Sequence, residues 1–342
     1  MIKTAVVVLN WNGIALLQRF LGSVVKLSAD RDTAVYLADN GSTDGSVNWV
    51  SENISDVRII RFEKNHGFAG GYNLALKQIN AEYYVLLNSD VEVSGGWLNP
   101  MVDFMDQNPD VASCQPKIRS YHNRNNFEYA GAAGGFVDKY GYPFCRGRIF
   151  DHIEKDDGQY DNRADIFWSS GACMMVRSGA WTRCGGLDDD FFAHMEEIDL
   201  CWRFHLAGFR VSFIPDSVVY HIGGGVLPYD SEHKTYLNFR NNLYMLYKNL
   251  PDNKLHWTLF IRKILDGVAA LTFIFTGRTG NAKAVWNAHI DYYRNIKSLK
   301  VKRRSVRNLI ICQPGSLLLN KCIVFRFYIK GDKTFSSLNI QN

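Results

Sequence analysis

Short runs of consecutive apolar residues alternate, along the first hundred positions, with segments whose apolar residues recur every three or four places. Thr4 to Leu9, Ala34 to Asp39, Val57 to Phe62 and the run from Tyr83 to Leu87 are of the first kind. Five apolar residues in a row with no helical spacing, as at Tyr83 to Leu87, suit a strand covered on both faces in a parallel sheet. Ile14 to Leu27 is of the second kind, with Ile14, Leu17, Phe20, Leu21, Val24 and Val25 on one helical face, and Ala69 to Ile79 predicts a second short helix. Strands separated by helices imply βαβ units and a mostly parallel α/β sheet flanked by helices.

The pattern then changes. Met101 to Gln107 predicts a helix, Val111 to Ile118 a strand and Ile166 to Val176 a longer strand, with residues 119–165 rich in loop formers between them. Ser178 to Cys184 predicts a helix closed by Gly185-Gly186, and Glu196 to Leu206 another with Gly208 as its C-terminal glycine. Val211 to Ile214 and Val218 to His221 read as two short β segments ending at Gly223-Gly224-Gly225. A first domain is therefore expected over 1–230. Three helical patterns, near 232–249, 254–276 and 281–299, and a basic tail make a second region over 231–342.

Composition places the chain among globular proteins, with 46% hydrophobic and 13% aromatic residues. Seven scattered cysteines, an odd number with no Cys-x-x-Cys pair, point to a reducing compartment and away from zinc. The apolar run at the N-terminus is too short for a signal segment, so a cytoplasmic location is expected. The net charge of +5 is uneven: residues 292–331 hold ten Lys and Arg and no acid, leaving 29 basic against 34 acidic residues elsewhere. Such a tail wants an anionic surface. The preceding segment Leu255 to Gly277 is hydrophobic but carries Arg262, Lys263 and Asp266 at mid-length. Burying these in a bilayer would cost about 2.5 to 3.5 kcal/mol each. With Trp257, Phe260, Phe273, Phe275 and Trp286 nearby, the region reads as interfacial, so an anionic membrane surface is the expected partner in preference to nucleic acid.

Candidate chemistry gathers where strands end. Asn88, Ser89 and Asp90 follow the fourth strand, and in open α/β sheets the ligand crevice lies beyond the carboxyl ends of such strands. A carboxylate there suits a divalent cation that leaves positions for substrate phosphates. Asp39 follows the second strand, where a carboxylate can accept the imide N–H of uracil or thymine, while Ser42 or Asp44 suits the N-cap of the next helix. The stretch Asn65-His66-Gly67-Phe68-Ala69-Gly70-Gly71-Tyr72-Asn73 follows the third and lacks the G-x-G-x-x-G spacing of dinucleotide sites. Residues 188–199 carry six carboxylates, Asp188, Asp189, Asp190, Glu196, Glu197 and Asp199, more than capping one helix needs. Glu196 and Asp199 share a helix face at i, i+3 and Glu197 points about 100° away. Paired acids of this kind suit a general base.

Taken in order, VVVLNWNG, ADNGSTDGS, NHGFAGGYN, LLNSDVEV, SSGACMMVRSGAW, GGLDDDFFAHMEEIDLCWRFHLAG and VYHIGGG resemble family 2 glycosyltransferases of the GT-A fold, in particular their bacterial rhamnosyltransferase-like branch. The resemblance spans about residues 3–225. It implies that Asn10, Asp39, Asn65, Gly67, Asn73, Asn88 and Ser89 bind the donor and that Asp90, with the late histidine His221, holds Mg²⁺ or Mn²⁺. Asn88 stands where the family's metal motif begins with Asp. Glu197 matches the second position of the family's Glu-Asp pair and is the implied base, with Glu196 as its rival. Trp168, Gly171, Asp199 and Trp202 would lie on the acceptor side.

The function so implied is inverting, metal-dependent transfer of a sugar, L-rhamnose from dTDP-rhamnose being favoured. It would run from a nucleoside-diphosphate sugar to a saccharide or lipid-linked acceptor in cell-surface polysaccharide synthesis. The enzyme would be peripheral on the inner face of the plasma membrane. A UDP- or GDP-sugar is the alternative donor. A sugar nucleotidyltransferase and a non-catalytic membrane-bound sugar-binding protein are the alternatives from other classes.

Overall fold

A computed structural model describes residues 2–29, 32–223 and 231–340. The expected domain boundary near residue 230, and Gly224 and Gly225 of the last motif, lie outside the described residues. The first half runs β1 (Ile2–Asn10), α1 (Ile14–Ser28), β2 (Thr33–Asp39), α2 (Ser46–Asn53), β3 (Val57–Arg61), α3 (Gly67–Leu76) and β4 (Ala81–Asn88). Next come β5 (Val91–Val93), α4 (Asn99–Gln107), β6 (Val111–Ser120) and four short strands, β7 (Gly135–Asp138), β8 (Pro143–Cys145), β9 (Arg148–Ile149) and β10 (His152–Ile153). β11 (Ala164–Asp165), β12 (Cys173–Arg177), α5 (Ser178–Cys184), α6 (Glu196–Leu206) and β13 (Arg210–His221) complete the main sheet. The C-terminal part holds α7 (Glu232–Asn249), α8 (Asp252–Phe275), α9 (Thr279–Arg294), α10 (Ile296–Arg307), β14 (Leu318–Leu319) and α11 (Ile323–Tyr328).

The main sheet has the order β11-β13-β6-β12-β4-β1-β2-β3, with β5 on β13. β3, β2, β1 and β4 are parallel, and β12 runs antiparallel between β4 and β6. Alternate residues of each central strand enter opposite cores. Ala5 and Val7 of β1, and Tyr84 and Leu86 of β4, face the core shared with α3, α5 and α6. Val6, Val8, Tyr83, Val85 and Leu87 face the one shared with α1, α2 and α4. Both sets are apolar because both faces are covered, which explains the unbroken apolar runs. The chain order reverses between β1 and β4, and at such a switch point the flanking connections leave a crevice beyond the strand ends.

Several elements differ from the sequence expectation. Only Cys173–Arg177 of the segment 166–176 is a strand. Ile166 to Ala172 is buried because it crosses between the sheets, its backbone bonding to Val211 and Gly135. The loop-rich stretch contains most of a second sheet, β10-β9-β8-β7-β14. The two β segments before the glycines are one strand, β13, with a register break between Ile214 and Val218. The last helical pattern is split at Asn295 into α9 and α10. The N-cap position of α2, expected at Ser42 or Asp44, is held by Gly45 without a side-chain cap, because the chain turns there in the left-handed region at φ +81°; Asp44 instead ties the starts of two helices together, accepting the Ile14 N–H of α1 at 2.9 Å and the Ser46 N–H of α2 at 3.0 Å.

The C-terminal helices share the core of the sheet. Leu243, Leu246, Tyr292, Leu299, Val306, Ile323, Phe327 and Leu338 belong to the same apolar cluster as Ala5 and Val7. Among the described residues no helix is long and apolar enough to cross a membrane. All seven thiols are free.

Candidate active site

Parallel pairing brings the first donor residues together. Asn10 sits opposite Asp39, and Leu9 opposite Asn88, so the ends of β2, β1 and β4 lie side by side. The buried Asn10 amide donates to Asp39 Oδ1 at 3.1 Å and is shared with Ser42 Oγ at 3.0 Å and Ser46 Oγ at 2.9 Å, while Asp39 Oδ2 accepts the Ser42 N–H at 3.1 Å. Asp39 is thus held rigidly before any ligand arrives. Asn10 Oδ1 is buried without a partner among the described residues, and Gly13 makes room for it, since a methyl group there would lie 2.6 Å from that oxygen. Ser89 and Asn88 are half-buried at the adjoining strand end.

After β3 the chain turns on Asn65. Its Oδ1 accepts the Gly67 N–H at 2.8 Å and the Asn40 amide at 3.0 Å, which fixes Gly67 in the left-handed region at φ +72°. Side chains there are strained, and a methyl group on Gly67 would also fall 2.5 Å from the Phe192 ring. The Phe192 carbonyl accepts the Phe68 N–H at 2.7 Å and the Ala69 N–H at 3.3 Å, closing the start of α3 against the acidic loop. Asn73, expected at the donor, is instead turned to that loop: its amide donates to Leu187 O at 2.7 Å and to Asp189, and its oxygen accepts the Leu187 N–H at 3.1 Å.

Asp90 and His221 meet across β5 and β13, where His221 pairs with Val91. Asp90 Oδ1 is 3.1 Å from His221 Nε2, and His221 Nδ1 is 3.1 Å from Glu128 Oε2, all three side chains being buried. Burial opposes a charged imidazole, but the Glu128 and Asp90 carboxylates outweigh it and raise the ring to about 10. Among the described residues no group of three such side chains is set to enclose a metal. The donor set fits a cation that keeps positions for substrate phosphates, provided the cation displaces the proton that His221 Nε2 directs at Asp90: one carboxylate and one imidazole, the second ring nitrogen held by a carboxylate as metal-ligating histidines require. Glu128 lies in the loop-rich stretch and no sequence spacing pointed to it.

The acidic cluster is sorted by its partners. Lys248 and Lys302 both bind Asp188, and although burial opposes this, their charge holds Asp188 well below the usual carboxylate range. Lys302 also pairs with Asp190. Asp199 is fully buried, with Arg203 Nε at 3.0 Å, Lys248 Nζ at 2.9 Å and the Asn249 amide at 2.8 Å. With Asp189 taken by Asn73, Glu196 and Glu197 have no cation partner among the described residues. Each has a buried carboxylate oxygen with no hydrogen-bond partner among those residues. Burial pushes Glu197 up to about 7, against the pull of the backbone N–H groups of Glu197, Ile198 and Gly171. Glu196 is raised well above its ordinary value by burial and then by the charge of Glu197. The loop leading to them holds Phe192, His194 and Met195 at φ +63°, +68° and +72°, and strain of this kind gathers at functional sites.

One backbone connection joins the two centres. Ala172 O accepts the Asn88 N–H at 3.0 Å at the end of β4, and the neighbouring Gly171 N–H faces the Glu197 carboxylate.

Residues 5–177 match the profile of Glycosyl transferase family 2. The chain belongs to that family. Among its relatives is the N-acetylglucosaminyl-diphospho-decaprenol L-rhamnosyltransferase of Mycobacterium tuberculosis, 27% identical over 223 residues, 60% of this chain and 71% of that one. Rhamnosyltransferase WbbL of Escherichia coli K12 is 26% identical over 157 residues, 44% of this chain and 58% of that one. These names agree with the rhamnosyltransferase-like branch. A mannosyltransferase of Pyrobaculum calidifontis, solved with GDP-Man and Mn²⁺, superposes with a TM-score of 0.52 at 16% identity, over 90% of this chain and 86% of that one. GalNAc-T7, solved with UDP, GalNAc and Mn²⁺, gives a TM-score of 0.56 at 16% identity over 72% of this chain, which spans 48% of the GalNAc-T7 chain. Both likenesses establish the GT-A fold.

Against this family-2 frame the expected acceptor residues divide. Gly171 stays at the site, beside the Phe68 ring, where a methyl group would come within 3.0 Å of Cζ. Trp168 does not line a crevice: it is buried against Gly135, and its indole N–H donates to Phe136 O at 3.0 Å. Trp202 is likewise in the core, its ring 5.3 Å from that of Phe167. Asp199 is consumed by its cations. An indole next to small residues reads the same in sequence whether it lines a cleft or fills a core, and the bonding partners decide.

Proposed function

We propose that this glycosyltransferase carries out inverting, metal-dependent transfer of a sugar from a nucleoside-diphosphate donor to a hydroxyl of a saccharide or lipid-linked acceptor in cell-surface polysaccharide synthesis. L-Rhamnose from dTDP-rhamnose is the favoured donor, as the names of the relatives suggest. The observation that carries the reading is Glu197: a carboxyl raised to about 7, one oxygen unpartnered, joined through Gly171 and Ala172 to the strand end that bears Asn88 and Asp90. Such a group is basic enough to take a proton at neutral pH. Glu197 would accept the acceptor hydroxyl proton as that oxygen bonds to the anomeric carbon. The bond from that carbon to the diphosphate oxygen breaks, its electron pair leaving with the nucleotide. Asp39 would hold the base, and Asn65 and Gly67 would shape the turn over the nucleotide. Asp90 and His221 would hold Mg²⁺ or Mn²⁺, which when bound offsets charge on the leaving diphosphate.

A thermal-shift screen against dTDP-rhamnose, UDP-sugars and GDP-sugars, each with Mn²⁺ or Mg²⁺, tests the donor, because a ligand bound only by the native state raises the midpoint. A shift with dTDP-rhamnose alone supports the favoured donor. A shift only with UDP- or GDP-sugars, the nucleotides of the solved neighbours, replaces it. No shift and no nucleoside diphosphate released with any donor overturns the catalytic reading.

A further inference from the structure

The membrane part of that reading began with the basic tail, yet many of the tail's cations are engaged inside the protein. Lys302 binds Asp188 and Asp190, Arg303 and Arg307 bind Asp252, and Arg326 binds Asp332. The unusual surface is on α8. Its inward face carries Leu255 and Leu259 together with the helix's buried charges: Arg262 and Asp266 are joined Nε to Oδ1 at 2.7 Å, with Arg262 stacked 4.0 Å from the Tyr142 ring centre and His289 Nε2 at 3.1 Å from Asp266. Its outward face is apolar. Trp257, Phe260, Ile264, Val268, Leu271 and Phe275 are all exposed, from 50% to 85%. At 100° per residue they fall within a stripe about 80° wide along the whole helix, which at 1.5 Å per residue is about 36 Å long.

We infer that α8 lies in the plane of an anionic bilayer surface, with this stripe inserted among the lipids. The length and apolarity of the stripe suit burial at the boundary between headgroups and acyl chains. Arg262 and Asp266 at mid-helix do not oppose it, since both are buried in the protein, and Lys263 is turned to the Tyr293 hydroxyl at 2.6 Å. From residue 253 to 290 the chain has one acid, the buried Asp266, whereas Lys254 and Lys283 are exposed and Lys263 is half-buried. The surface therefore offers apolar groups edged by positive charge, the complement of an anionic leaflet. A second copy of the chain fits less well, because a symmetric dimer sets a patch against itself and would oppose like charges. The inference deepens the membrane-surface reading by naming the face that docks.

The test uses the full chain in flotation assays with phosphatidylcholine vesicles, with and without phosphatidylglycerol. The wild type should float with the anionic vesicles. The combined variant Phe260→Ser, Ile264→Ser, Leu271→Ser, which alters only exposed positions, should lose roughly a hundredfold in partitioning from the apolar area removed. Quenching of tryptophan emission by brominated lipid should fall in Trp257→Phe. Wild-type partitioning by the combined variant, no vesicle binding by the wild type, or unchanged quenching in Trp257→Phe would each overturn the inference. So would a dimer in light scattering that the combined variant abolishes while vesicle binding is absent. Loss of binding in Lys297→Ser, Lys300→Ser, Arg304→Ser with none in the α8 variant would assign docking to the tail instead. Thermal shift by the nucleotide sugar, measured on the same variants, reports the donor site separately, so failure of docking and failure of the transferase reading are distinguishable.

Discussion

Glu197 and Glu196 are neighbours with raised carboxyls, and replacing each by Gln separates their roles. Burial makes the folded protein hold the Glu197 proton up to about 7, against an ordinary value of 4.5. Below that pH the carboxyl keeps its proton and cannot accept another. With a single titration near 7, about one tenth of the molecules carry the base at pH 6 and about nine tenths at pH 8, so kcat/KM should climb roughly tenfold between them and then level. Glu197→Gln should cut turnover by about 10²- to 10⁴-fold and flatten this limb. Glu196→Gln should keep the limb, because the proton acceptor, Glu197, is unchanged in that variant. The same shift has a stability consequence of opposite sign. A carboxyl whose folded value is raised stabilises the fold below its unfolded value and loses that contribution as pH rises through about 7. Glu197→Gln should therefore melt higher than wild type at pH 8 while being nearly inactive. Release of nucleoside diphosphate across the pH series, with melting curves at each pH, reads all three quantities. Wild-type turnover in Glu197→Gln, or a limb that vanishes in Glu196→Gln and survives in Glu197→Gln, would refute the assignment.

Glu128→Gln should weaken Mn²⁺ binding by about 10- to 100-fold in titration calorimetry, the usual loss when the carboxylate behind a ligating histidine is removed; equal affinity would show that Glu128 does not support the metal site. Asp90→Ala should weaken Mn²⁺ and the nucleotide together, and a variant that binds the nucleotide as tightly as wild type in the presence of Mn²⁺ would dissociate Asp90 from the donor site. Asp199→Ala leaves Lys248 and Arg203 buried without their shared carboxylate and should cost about 3 to 5 kcal/mol in urea unfolding; unchanged stability with a raised acceptor KM would return Asp199 to the acceptor side. Gly67→Ala places a methyl group 2.5 Å from Phe192 at φ +72°. It should cost about 1 to 3 kcal/mol and weaken donor binding, which unfolding curves and thermal shift check.

Unbroken apolar runs located β1, β2 and β4 well because both faces of those strands are buried, periodicity located α1 by its one buried face, and the closing glycine marked the end of α6. These signals failed where burial had another cause. Ile166 to Ala172 is buried, its two serines included, because it crosses between sheets, and strands of two to four residues such as β8, β9 and β10 are too short to carry a period. Arg262 and Asp266 looked like interruptions of an apolar helix, whereas their mutual pairing lets them face inward. At the site, residues following strands were legible in order, since a parallel sheet forces β1, β2 and β4 to end together. Residues brought from far along the chain were not. Glu128, Lys248 and Lys302 reach His221, Asp188 and Asp199 over long separations, and nothing local marks them.

Those distant partners change how the acidic loop is understood. A residue held at positive φ without being glycine costs of order 1 to 3 kcal/mol, and Phe192, His194 and Met195 all sit there. The surroundings must over-determine such a loop. Asn241 of α7 donates to Phe191 O at 3.0 Å and to Ala193 O and His194 O at 2.8 Å, and Arg240 donates to Asp190 O at 2.8 Å. Lys248 and Lys302, from α7 and α10, hold its carboxylates. The density of acids in residues 188–199 is thus mainly what docks the loop on the C-terminal helices. Among the described residues only Glu196 and Glu197 escape this pairing, so the contacts that hold Asp188, Asp190 and Asp199 from α7 and α10, and Asp189 from Asn73 of α3, also define which carboxyls stay raised.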